Sequence, residues 1–283
     1  MTRAIRGWHF GRYPATRSTR ARERLTEITP ALLDALAATA SPDAAFMAFD
    51  RFLAGLPTGV QLFSLLHANP GLLSLLANIM GTAPRLANIV TQRSRVLDGV
   101  LDPAFYGTVP TAEELEARLS RLLGDTAFYE EALDTARAFG QEQAFLIGAR
   151  ILSGTISAAS AGHAFATLAD IIVRSLFAVV GEALAETHGR VSGGHSVLVA
   201  MGKLGGREMT ASSDLDMILL YDFDEGAEAS DGGRPLAPSL YYTRLTQRLV
   251  TALSAPTAAG TLSEVAFRLR PSGNAGPLAT RLA

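Results

Sequence analysis

Asp214 and Asp216 stand one residue apart in the stretch Ser212-Ser213-Asp214-Leu215-Asp216-Met217. Along an extended strand the side chains alternate, so the two carboxylates share one face while Leu215 and Met217 share the other. Paired hard oxygens of this kind suit Mg²⁺, which takes one or two protein carboxylates and completes its shell with substrate phosphates. Just upstream lies Gly202-Lys203-Leu204-Gly205-Gly206-Arg207-Glu208. A glycine-rich turn lets backbone N–H groups approach a phosphate chain closely, and Lys203 adds a point charge there. Taken singly, an Asp-x-Asp pair is more often a solvated strand end, and a glycine-rich turn is usually only a turn. Together, at this spacing between two apolar runs, they are a much more specific sign of a divalent cation held with substrate phosphates. The pattern is no Walker loop, because Leu204 follows Lys203 and the upstream glycine spacing is wrong, and it is no Rossmann fingerprint.

These residues need strands to hold them. Val197 to Met201 is a short apolar run bounded by glycines and reads as a buried strand; Leu215 to Tyr221 reads as a second and Glu264 to Leu269 as a third. Between the last two come a polar loop, Asp222 to Pro238, and an amphipathic helix over Ser239 to Ser254. The loop acids (Asp222, Asp224, Glu225, Glu228, Asp231) lack the spacing and closing glutamate of a calcium loop and read as solvated. Everything before Ser192 reads as helices. Pro42 and Asp43 open one that Gly55 closes, Leu72 to Met80 follows Pro70, and Pro84 to Leu101 ends at Asp102-Pro103. Thr111 and Glu114 form a capping box, Asp125 reads as the cap of a long helix reaching Leu152, and a last helix runs from Ser157 to His188, where Gly189 stops it. The order is helices, strand, turn, strand, helix, strand, which is an α+β pattern with its chemistry at the C-terminal end.

Composition bounds the rest. Across 283 residues, 48% are hydrophobic and 18% charged, which is globular, and a formal net charge of -2 advertises no nucleic acid. The arginine-rich start, Arg3 to Arg24, reads as a solvated, partly frayed end, with contact to an anionic partner as the alternative. With no cysteine, disulfides, zinc ribbons and thiol catalysis are excluded, which suits a reducing cytoplasm. The first residues are polar and basic, so no signal peptide is read. The longest apolar tract, Ala164 to Ala185, is interrupted by Asp170, Arg174 and Glu182 at helical spacing and reads as a core helix, not a membrane span. The five histidines show no ligand spacing, and His195-Ser196 lacks the second glycine of a nucleophile elbow.

The stretch Val199 to Glu208, followed by Ser213-Asp214-Leu215-Asp216, resembles the signature of glutamine synthetase adenylyltransferases, members of the polymerase-β-like nucleotidyltransferase superfamily. Leu269-Arg270-Pro271-Ser272-Gly273-Asn274 resembles the family's later motif. Leu65 to Leu101, and Trp8-His9-Phe10-Gly11-Arg12, resemble its helical linker. The resemblance implies a helical linker over 1–110 and a nucleotidyltransferase module over 111–283, with helices to about 190 and a catalytic sheet over 195–283. It implies Mg²⁺ and ATP as cofactor and substrate, and transfer of AMP to a tyrosine of glutamine synthetase. A PII-type signalling protein is a further implied partner; nucleic acid and membrane are not. By the same resemblance, Asp214 and Asp216 are metal ligands. Lys203, Gly205, Gly206 and Ser213 form the nucleotide-phosphate turn, and Arg268 and Arg270 contact phosphate or substrate.

Two departures matter. Family members read Glu-Val-Asp before Arg-Leu-Arg-Pro, whereas this chain reads Glu264-Val265-Ala266, so Ala266 stands where a third acid is expected. The chain also stops at Ala283, where the family continues into further helices, which reads as a fragment truncated at its C-terminus. Three readings stay open: an impaired adenylyltransferase, a non-catalytic module that binds glutamine synthetase or a PII-type protein, and an adenylyl-removing, phosphorolytic module.

Overall fold

The computed structural model describes residues 2–10, 13–102, 105, 107–255, 265–266 and 278–282. They fall into two compact units: Met1–Val109 with Phe145–Ser157, and Pro110–Ala144 with Ala158–Ala283.

The first unit is helical: α1 (Thr2–His9), α2 (Thr19–Ala37), α3 (Pro42–Gly55), α4 (Val60–Ala68), α5 (Pro70–Thr82), α6 (Pro84–Gln92) and α7 (Asp98–Leu101). Proline opens α3, α5 and α6, where a missing N–H costs nothing. Leu25, Leu32, Phe49, Phe52, Phe63 and Leu76 form the centre of its core. The arginine-rich start is not the frayed end expected from its charge. Trp8 is fully buried, and its Nε1 donates to Asp50 Oδ1 at 2.7 Å, an oxygen that also accepts from the Tyr13 hydroxyl at 2.8 Å. Its arginines alternate with apolar anchors (Trp8, Ala21, Leu25) that reach the core, and the anchors decide the outcome. The single helix expected over 84–101 is also broken. Arg93 leaves helical geometry, and a 3-10 turn at Ser94–Leu97 precedes α7, which buries Val96, Leu97 and Val100 as well as Leu86 and Val90.

In the second unit, α8 (Ala112–Gly124) carries the expected capping box: Glu114 N–H donates to Thr111 Oγ1 at 3.3 Å and Thr111 N–H to Glu114 Oε2 at 2.8 Å. Asp125, expected to start the next helix, instead ends α8 in right-handed geometry. The following helix, α9 (Tyr129–Leu152), starts later, where Glu131 Oε2 accepts the Ala127 N–H at 2.9 Å. Residues of α9 up to Ala144 belong to the second unit and those from Phe145 to the first. Arg137, mid-helix and buried, donates from Nη2 to the Ala252 carbonyl at 2.8 Å and pairs with Asp134 at 3.1 Å. Then comes α10 (Ala158–His188). By length and composition it is apolar enough to cross a membrane, yet Phe165, Leu168, Ile172 and Leu176 are buried within the unit. Asp170 and Arg174 pair at 3.4 Å on its exposed face. Gly189, at φ +69°, ends it.

The sheet comprises β1 (His195–Ala200), β2 (Leu215–Asp222), β3 (Val265–Ala266) and β4 (Ala279–Arg281), with α12 (Pro238–Ser254) between β2 and β3. β1 runs antiparallel to β2, from His195 opposite Asp222 to Ala200 opposite Met217. Both β3 and β4 run parallel to β2: Leu215 pairs with Val265, Asp216 with Ala266, and Leu219 to Tyr221 with Ala279 to Arg281. The fold is therefore α+β. β1 is not the buried strand its apolar run suggested: it pairs with β2 alone among the described residues, and Val197 is half exposed. β4 carries no alternating pattern and was not foreseen. The acidic loop after β2 is anchored rather than free. Asp224 Oδ2 accepts from the Ser192 hydroxyl at 2.9 Å, Asp231 Oδ1 accepts the Arg190 N–H at 2.6 Å, and Gly232 N–H reaches the His188 carbonyl at 3.0 Å.

On the helix-facing side of β2, Leu215, Met217, Leu219 and Tyr221 are buried. The Tyr221 ring stacks on Tyr242 of α12, centroids 4.2 Å apart. Burial pushes the Tyr242 phenol from 10.0 up to about 12, with the neighbouring Tyr241, Tyr221 and Asp222 adding to the shift. A phenol harder to ionise folded than unfolded stabilises the fold below the ordinary tyrosine pKa, and that contribution fades as pH rises toward 12. Titration followed by tyrosinate absorbance should show a late inflection that Tyr242→Phe removes. The same substitution should flatten the alkaline loss of stability.

Candidate nucleotide and metal site

Strand alternation sets Asp216, and the turn before the strand sets Asp214. Leu215 and Met217 are each 1% exposed, while Asp214, in the turn before β2, is exposed and Asp216 half-buried. Neither carboxylate is hydrogen-bonded or ion-paired to another described residue. The turn before Asp214 is held by Ser213, whose buried Oγ accepts the Thr210 N–H at 2.9 Å and lies 3.0 Å from Thr210 Oγ1. Ser213 thus shapes the approach to Asp214 from inside the turn.

The glycine-rich segment is a one-turn helix, α11 (Gly202–Gly205), closed at its C-terminal end by four hydrogen bonds. Gly205 N–H donates to the Met201 carbonyl, Gly206 to Gly202, Arg207 to Leu204 and Glu208 to Lys203, at 2.9 to 3.2 Å. The amides of Gly205 and Gly206 are therefore used within the turn, and those of Gly202 to Leu204, at its start, stand outside these bonds. Gly205 is needed for clearance: a Cβ there would lie 2.6 Å from the Ala200 carbonyl oxygen. Lys203 is exposed and forms no ion pair with a described residue.

Two backbone positions tie this turn to β2 and α10. Gly202 has φ +53°, and a Cβ on it would stand 2.7 Å from Asp216 Oδ2. One residue earlier, Met201 N–H donates to the Asp216 carbonyl at 2.9 Å. Arg207 has φ +57°, a left-handed geometry that costs an L-residue roughly 1–2 kcal/mol. Its 6→1 and 5→2 hydrogen bonds are those of a helix terminus that normally places glycine there. Its guanidinium Nη2 donates to Thr167 Oγ1 of α10 at 2.7 Å.

A cation fits this donor set as far as the described residues go. Two carboxylates without a partner among the described residues, with a bare glycine leaving room beside Asp216, match the sparse protein ligation of Mg²⁺ completed by phosphates. Among the described residues no cluster of three or more His, Asp or Glu side chains offers a fuller cage. The ladder pairs Asp216 with Ala266, so the neighbouring strand brings no acid to that register position. Arg268, Arg270 and Glu264 lie outside the described residues. Sequence reasoning passed over Gly202 and Arg207. An arginine closing a glycine-rich turn, where a further glycine is the usual choice, was the available signal for the second.

Gly202→Ala should lower stability by about 1–3 kcal/mol, because it strains the left-handed backbone and collides with Asp216. Gly181→Ala, on α10 with no atom within 4 Å of its Cβ, should be neutral or stabilising. Urea unfolding of the two variants checks the contrast; equal effects would show that the Gly202 contact is unimportant.

The family model of glutamate-ammonia ligase adenylyltransferase (GlnE) matches residues 73–283. Along its whole length the chain is 58% identical to the bifunctional glutamine synthetase adenylyltransferase/adenylyl-removing enzyme of Mesorhizobium japonicum, covering 29% of that protein. The enzyme of the same name from Brucella melitensis is also 58% identical, again over 100% of this chain and 29% of the relative. That of Rhizobium meliloti is 53% identical over 98% of this chain and 28% of the relative. The chain thus spans under a third of the length of these relatives. With the glycine turn, the Asp-x-Asp strand and most of the helical region inside the matched residues, the chain belongs to the glutamate-ammonia ligase adenylyltransferase family.

Proposed function

We propose that this chain carries an ATP- and Mg²⁺-dependent site that transfers AMP to a tyrosine of glutamine synthetase, with turnover held down by Ala266. The observation that carries the reading is the pair of carboxylates at the head of β2 without a partner among the described residues, with Asp216 packed against the bare backbone of Gly202. Asp214 and Asp216 would hold the ion, which when bound neutralises phosphate charge. Lys203 meets the triphosphate as a point charge. Gly205 keeps the turn close against β1, Gly206 closes it on the Gly202 carbonyl to complete the phosphate turn, and Ser213 keeps Asp214 presented. Arg268 and Arg270 are assigned to phosphate or substrate contact. The transfer is an in-line displacement: the tyrosine oxygen bonds to the α-phosphorus, the bond to the bridging oxygen breaks and pyrophosphate leaves.

The attacking phenol, with a pKa of about 10, needs its proton removed at neutral pH. A carboxylate in register with Asp216 would serve, and alanine occupies that position. The same observation favours a second reading, in which the chain binds glutamine synthetase without modifying it. A PII-type protein is a further proposed partner, the cytoplasm the proposed compartment, and 111–283 the proposed catalytic module.

The test is transfer of radiolabelled AMP from ATP to purified glutamine synthetase. The chain should label slowly, and Ala266→Asp should raise the rate by about 10²–10⁴. Adding Asp214→Asn should abolish that gain. Binding without labelling, even in Ala266→Asp, would establish the binding-module reading. Release of ADP from adenylylated glutamine synthetase on adding orthophosphate would assign the adenylyl-removing activity. Absence of labelling, release and binding would overturn the proposal.

A further inference from the structure

Arg207 occupies a left-handed position at the end of α11, where glycine would relieve the crowding of a Cβ, so the reason for an arginine must lie in its side chain. That side chain reaches α10 and donates from Nη2 to Thr167 Oγ1 at 2.7 Å. Further along the same helix, buried Gly162 brings its bare backbone against the segment after the turn. A Cβ there would stand 3.5 Å from Glu208 Cα and from the Met209 carbonyl oxygen, and 3.6 Å from that of Arg207. The turn therefore touches α10 at two places: by close packing at Gly162 and by one directed bond at Thr167. Its other end is fixed to β2 through Met201 N–H and the Asp216 carbonyl. α10 is a firm base for such an anchor, since Phe165, Ala166 and Leu168 around Thr167 are buried in the core.

We propose that Thr167 is a positioning residue for the phosphate turn, acting through Arg207 to hold Lys203 and the start of α11 in place beside Asp216. The inference rests on the reading of this site as a nucleotide site. Packing at Gly162 limits approach but not sliding, because apolar contact is non-directional. The Arg207–Thr167 bond supplies the direction. Losing it leaves the turn hinged at Met201 and Arg207, and the turn then no longer waits in the geometry that binds a triphosphate.

The test uses the full chain with Mg²⁺ and the fluorescent nucleotide mant-ATP. Thr167→Val removes the hydroxyl at nearly constant shape; Thr167→Ser retains it. Thr167→Val should raise the Kd for mant-ATP about threefold to tenfold, the worth of one hydrogen bond, and Thr167→Ser should stay within about twofold of the parent. Limited trypsin digestion should cut Arg207–Glu208 faster in Thr167→Val than in the parent or Thr167→Ser. Arg207→Gly separates positioning from stability. It relieves the backbone, so the thermal midpoint should hold or rise, while mant-ATP affinity should fall as in Thr167→Val. A parent chain that binds mant-ATP together with Thr167→Val and Arg207→Gly variants of unchanged Kd would overturn the inference, even if trypsin cleavage accelerates. A parent chain that does not bind mant-ATP would overturn the nucleotide site itself, and the positioning role with it.

Discussion

The carboxylate of Asp216 can stand where it does because no side chain projects from Gly202. That clearance lets β2 and the turn after β1 meet almost in contact, with the Met201 amide bonded to the Asp216 carbonyl to fix their spacing. The rest of the second unit can be understood as support for this approach. The antiparallel β1–β2 pair delivers the turn to the head of β2, and the buried alternation of Leu215, Met217 and Leu219 stops β2 from rotating. α10 backs the turn from the other side. A register slip of one residue in β2 would exchange Asp216 for Leu215 on the open face and remove the site at a stroke.

β2 is also unlike itself from end to end. Its head carries two carboxylates without partners among the described residues, whereas its tail is flanked by aromatic rings and paired charge. Tyr221 stacks on Tyr242, the Arg281 guanidinium lies 3.9 Å over the Phe223 ring, and Arg281 Nε bonds to Asp222 at 3.2 Å. The Phe223 amide, and then Arg281, hold the Asp222 carboxyl below its ordinary range. The acids at the two ends thus have opposite circumstances: Asp222 is bonded to Phe223 and Arg281, and Asp216 has no side-chain partner among the described residues.

Much of this could be read from the sequence, and the reason is local. Capping by Thr111 and Glu114, prolines opening α3, α5 and α6, the glycine stop at 189 and the alternation through Leu215–Tyr221 all depend on near neighbours. What could not be read depends on residues far apart. Trp8 turns an arginine-rich end into ordered structure through Asp50, a partner 42 residues away. Buried Arg137 makes sense only once the Ala252 carbonyl is known to end beside it. The loop acids look solvated until Ser192 and Arg190 appear opposite them. At the site itself, residue types announced the carboxylates and the glycines. The sequence could not show that the Gly205 and Gly206 amides are used inside the turn, nor that Arg207 takes a left-handed backbone, because both follow from how the chain closes on itself.

The pairings of β2 also carry an order of assembly. Ala200 meets Met217 across a short connection, so the β1–β2 pair, with Asp216 and the glycine turn, closes a small loop at little entropic cost. Val265 and Ala266, which pair with Leu215 and Asp216, lie beyond α12 in the sequence, and Ala279 to Arg281 lie beyond them. Parallel, non-local pairings of this kind are the slow ones in folding. On a growing polypeptide, the glycine turn and the head of β2 are therefore synthesised before the residues that pair with Leu215 and Asp216.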